Sequence, residues 1–148
     1  MSEDIFQAEF YDPAFAPNID DFELKLNFLH ELGHVFNART VFLTQNSDSL
    51  VNPYDDLTNA VIENDAGENI THTHEGFQQP NPNSTSPYWP YRQNANTSNR
   101  ETFADMFLNT VLGTYADDTA GQNRNEWMLN QFPEWFKRFE NEKWGMIQ

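Results

Sequence analysis

The sequence predicts an α+β domain that is mostly helical, with a small sheet beside its first long helix. Three observations carry this expectation. Apolar residues recur at helical spacing over about 21–37 and again over about 99–115, and "IFQAEFY" at 5–11 is rich in aromatic and apolar residues before Pro13 and Pro17 break regular structure. The 148 residues suit a single domain, 1–148, in which roughly 68–70% of the unfolded chain's surface is buried.

In chain order, 5–11 is the predicted strand. Asp20 or Asp21 then offers an N-cap for the first helix, whose Phe22, Leu26, Leu29, Leu32, Val35 and Phe36 form an apolar stripe turned to the core. "TVFLTQ" at 40–45 is predicted as a second short strand, and "NPYDDLTNAVIEN" as a short helix opening near Pro53. From about 76 to 99 the chain carries four prolines among many Asn and Ser residues, a loop of a length that compact domains keep for function or leave disordered. "SNRETFADMFLNTVLGTYA" restores helical spacing through Phe103, Met106, Phe107, Val111 and Leu112. Last, Trp127, Met128, Phe132, Trp135, Phe136 and Phe139 form an aromatic stripe suited to core packing, in two amphipathic pieces that Pro133 separates or kinks.

Composition narrows the partners. Hydrophobic residues make up 38% of the chain and aromatic residues 15%, so large rings must supply much of the buried area. Eight basic against 23 acidic residues give a formal charge of -15, which repels nucleic-acid phosphates and anionic lipid headgroups. Neither nucleic acid nor a membrane is therefore an expected partner, while the same field attracts cations. With no cysteine, disulfides, thiolate ligands and a Cys nucleophile are excluded, and any metal must use His, Asp or Glu. No signal peptide and no apolar run of about 18 residues is visible, which makes the cytoplasm the default location, with secretion or a place in a larger protein left open.

"FLHELGHVF" at 28–36 places His30 and His34 four apart on the first helix. Such residues differ by about 40° in azimuth and about 6 Å in rise, so both imidazoles can converge on one ion. Glu31 stands beside that face, offset from the ligand positions but near enough to take a proton from a water there. This composition yields the three fixed positions by chance only about 0.01 times per chain.

A catalytic zinc site usually has three protein ligands and one open position. Thr40 stands where an extended motif places a third His, and Asn37 where it places a Gly, which leaves His72, His74 and the downstream carboxylates. Glu101 and Asp105 are again four apart on a predicted helix, so one can bind metal while the other orients a ligand histidine. The competing role for Glu101 is a capping box, Ser98-x-x-Glu101, in which its carboxylate bonds a backbone amide.

The pairing of HExxH (His30, Glu31, His34) with a downstream ExxAD (Glu101, Ala104, Asp105) resembles the zincin metallopeptidases of the gluzincin type. Similar pairs occur in ImmA/IrrE-like peptidases, which usually have Asn at the position of Asp105, and in membrane-associated gluzincins. The resemblance implies that His30, His34 and Glu101 bind Zn²⁺, that Glu31 is the general base and that Asp105 accepts a hydrogen bond from a ligand His. The expected function is hydrolysis of peptide bonds in a peptide or protein substrate. His74, Tyr91 and Arg92 are the candidates for contacting substrate or its developing oxyanion. The alternative is a catalytically inactive zincin scaffold that keeps the metal site for binding or structure.

Overall fold

A computed structural model describes residues 21–44, 51–78 and 98–145, with side chains at all of these except 21–23, 138–139 and 141–145. The predicted strand at 5–11, most of the 76–99 loop and the Phe139 side chain lie outside the described residues. Four helices follow in order: α1 (Asp21–Thr44), α2 (Pro53–Thr58), α3 (Asn99–Leu112) and α4 (Thr119–Gly145). Among the described residues there is no strand, only the isolated antiparallel bridges Glu63–Asn69 and Phe77–Tyr115. The small sheet beside α1 is thus overturned; the described fold is helical.

The second predicted strand is the last turn of α1. Val41 and the threonines around it favour extended structure, yet the Thr40 hydroxyl donates to Phe36 O at 2.7 Å and the Thr44 hydroxyl to Thr40 O at 2.9 Å. These bonds satisfy buried polar side chains within the helix itself, and no Gly or Pro stops the chain after Asn37. Thr44 then accepts the Val51 amide at 3.0 Å, which anchors the chain where it re-enters the core. The predicted helix at Pro53 forms as α2, with Asn52 capping the Asp55 amide and Pro53 in the first turn.

α3 lies at the centre, packed by α1, α2 and α4. It buries Thr102 through Met106 without a break, then Leu108 and Asn109, and ends at Gly113 in the left-handed region (φ 67°). Phe36 of α1 meets five rings from α3 and α4 at centroid distances of 5.6–6.5 Å, which joins the three long helices through aromatic contacts. α4 runs through Pro133 as one helix, so of the two expected effects, separation or a kink, the separation does not occur. Pro133 is exposed and Leu129, whose carbonyl loses its partner, is 53% exposed, so that oxygen lies on the solvated side while Trp135 stays buried. The Trp135 indole N–H donates to Asp56 at 2.7 Å and ties α4 to α2.

Irregular chain over 59–78 is held by Arg124 of α4, which is fully buried. Its guanidinium donates to the carbonyls of Ile70 and Glu75 at 2.6 Å, Thr73 at 3.1 Å and Thr71 at 3.4 Å, and stacks 4.5 Å from the Phe77 ring centre. No helix among the described residues is long and apolar enough to cross a membrane. Replacing Arg124 with Leu strands several buried carbonyls at once and is expected to cost at least about 3 kcal/mol, read from urea unfolding monitored by circular dichroism.

Candidate metal centre

The centre forms where α1 crosses α3. Gly33, inside the HExxH sequence, approaches so closely that a Cβ there would stand 2.9 Å from Ala104 Cα and 3.1 Å from Phe107 Cβ. Ala104, inside ExxAD, is fully buried at the other side of this contact. Two small residues therefore set the helix separation, and the ligand-bearing positions on either side follow from it.

His30 is 1% exposed, and its Nε2 lies 3.0 Å from Glu101 Oε2 and 3.2 Å from His34 Nε2. His34 Nε2 lies 3.4 Å from Glu101 Oε1. A tetrahedral zinc with N and O ligands at about 2.0–2.2 Å sets those atoms about 3.3–3.5 Å apart, so the three side chains already stand near the spacing it needs. They form the one cluster among the described residues able to offer three ligand atoms to a metal. Behind them, His30 Nδ1–H donates to Asp105 Oδ1 at 2.8 Å, which leaves Nε2 facing the shared point. The Ser98 half of the capping box forms, its Oγ accepting from the Glu101 amide at 3.4 Å, while the Glu101 carboxylate reaches the histidines.

The electrostatics favour positive charge at this point. Burial alone would lower the pKa of His30, but hydrogen bonds and attraction to Asp105 and Glu101 outweigh it and raise the value to about 9. In the metal-free protein an imidazolium between two carboxylates is the cation; a metal at Nε2 must displace a proton.

Glu31 is half-buried on α1 next to His30, and its charge, with that of Glu101, acts on Tyr54. Tyr54 of α2 was not singled out by the sequence. Its hydroxyl is 2.7 Å from His34 Nδ1, and burial raises its pKa, so it remains a neutral phenol. Helical spacing relates only residues within one helix, and Tyr54 arrives from another; its place beside Pro53 in a capped turn was the one available sign.

His74 is not brought to this cluster. It sits in the turn that Arg124 holds through the neighbouring Thr73 and Glu75 carbonyls. Tyr91 and Arg92 lie outside the described residues. A cavity of about 300 Å³, lined by Leu32, Val35, Phe36, Phe107, Trp135 and Phe136 among others, opens on the face of α1 turned away from the histidines and carries no ligand group for this centre. No family model, curated protein or solved structure matches this chain.

Gly33→Val is expected to force α1 and α3 apart, costing about 1–3 kcal/mol in chemical denaturation and lowering zinc affinity in chelator competition. The raised His30 pKa gives a second expectation for metal-stripped protein. Charged His30 contributes stability in full below pH 6.5 and loses it as pH rises through about 9. The Tm difference between wild type and His30→Gln should therefore narrow across that window.

Proposed function

We propose that the protein is a zinc-dependent metallopeptidase with Glu31 as its general base. The observation that supports this best is the convergence of His30 Nε2, His34 Nε2 and Glu101 at 3.0–3.4 Å, with Glu31 on the same helix as the histidines. The donor set, two imidazoles and one carboxylate, is that of an open catalytic zinc site. The motif pair also resembles that of gluzincin-type zincins.

His30, His34 and Glu101 would hold the ion, and Asp105 would keep the His30 lone pair turned to it. When bound, zinc supplies Lewis acidity, polarising a peptide carbonyl and bringing the pKa of water from about 15.7 to about 7. Glu31 accepts a proton from the attacking water at its carboxylate and returns it to the departing amine nitrogen. One residue thus acts as base in the first half of the reaction and acid in the second.

Metal analysis and peptide cleavage on the same samples test the proposal. Wild type should carry close to one zinc per chain. Glu31→Gln should keep the zinc and lose about 10²–10⁴-fold in cleavage rate, while Glu101→Ala should lose both. Zinc retained by Glu31→Gln with cleavage unchanged would leave a metal-holding scaffold without this chemistry, and a wild type that cannot be loaded would remove the metal altogether.

A further inference from the structure

Tyr54 is held more firmly than ring packing requires. Its backbone amide donates to Asn37 Oδ1 at 3.0 Å, one turn beyond His34 on α1. Its ring stands edge-on to Phe103 at 5.3 Å, and Arg100 lies over it at 5.7 Å. Contacts from α1 and α3 thus fix a side chain of α2, and they deliver its hydroxyl to His34 Nδ1 at 2.7 Å. Asp105 stands in the corresponding place behind His30, at 2.8 Å.

The two partners differ chemically. A carboxylate only accepts, so Asp105 keeps the proton on His30 Nδ1. A phenol both donates and accepts. His34 Nε2 faces His30 Nε2 at 3.2 Å and Glu101 Oε1 at 3.4 Å, and whichever ring nitrogen of His34 carries the proton, the Tyr54 hydroxyl can meet Nδ1 as donor or as acceptor. If His34 Nε2 held a metal, the neutral ring would carry its proton on Nδ1, where the Tyr54 hydroxyl oxygen would accept it.

We propose that Tyr54 is a positioning residue that holds His34 in ligand geometry through the bond between its hydroxyl and Nδ1, a bond that a phenol can make to either tautomer. This rests on the metal reading above and adds to it the residue that keeps the second histidine oriented.

Tyr54→Phe removes the hydroxyl and keeps the ring. It is expected to weaken zinc binding about 10–100-fold in chelator competition. In metal-free protein, the ¹⁵N imidazole resonances of His34 should move from one tautomer to a mixture, while the metal-free Tm stays near wild type. Arg100→Gln, which removes the contact over the ring together with its charge and leaves the hydroxyl in place, should change zinc affinity far less than Tyr54→Phe. Unchanged zinc affinity and an unchanged His34 tautomer in Tyr54→Phe would overturn the proposal. So would a metal-free Tm lowered as far as in Tyr54→Ala, or equal weakening in Arg100→Gln, since either makes ring burial the cause. The tautomer measurement needs no metal: if wild type takes up no zinc yet Tyr54→Phe still mixes the His34 tautomers, the metal reading fails and the positioning role stands.

Discussion

The separation of α1 from α3 is the constraint on which the rest depends. It is set by Gly33 against Ala104, with no room for a Cβ on the α1 side. At this distance the side chains of His30 and His34 reach Glu101 and Asp105 directly, with no water needed to span a gap. A wider crossing, filled by larger apolar residues, would gain buried area and lose the convergence. Small residues at this point give up some hydrophobic stabilisation in return for placing four polar side chains within bonding distance.

That choice shapes the whole of α1. Its deepest positions are Leu26, His30, Gly33, Asn37, Thr40 and Thr44, a stripe spaced four and three residues apart that is mostly polar or small. Each buried polar group on it has a partner: Asp105 for His30, the Tyr54 amide for Asn37, and α1's own carbonyls for the two threonines. A stripe of this kind adds little hydrophobic driving force, since its hydrogen bonds replace bonds to water. The apolar stabilisation lies to either side, in the rings around Phe36 and Trp135 and in the cluster of Val51, Leu57, Ile62, Ile70 and Phe77.

This arrangement explains what the sequence disclosed. Both long central helices were legible because their periodicity extends over many residues, and the short helix because Asn52 and Pro53 mark its start. His30, His34, Glu101 and Asp105 were legible as pairs, since a spacing of four residues fixes relative position within a helix. Among the apolar positions of α1, Leu26 is buried and Phe36 packs on the core rings as expected, while the crossing also buries polar and small residues that apolar periodicity does not mark. The end of α1 was hidden because β-branched residues favour strands, and it is the burial of Thr40 and Thr44 in the fold, with their hydroxyls bonded to the helix's own carbonyls, that overrides this local preference. Arg124 was hidden for a different reason: its bonds to backbone carbonyls follow from the fold of a distant segment, and no spacing in the sequence marks them.

The bond from Trp135 to Asp56 reaches further than its place in the core suggests. Among the described residues α4 offers no ligand atom to the cluster, yet it grips α2, and α2 carries the hydroxyl that meets His34. His30, His34 and Glu101 have all been synthesised once residue 101 emerges, but the chain of bonds behind His34 is complete only after residue 135 has followed. The order of synthesis therefore separates having the side chains from having their geometry: a nascent chain gathers the former first, and the latter belongs to the finished fold.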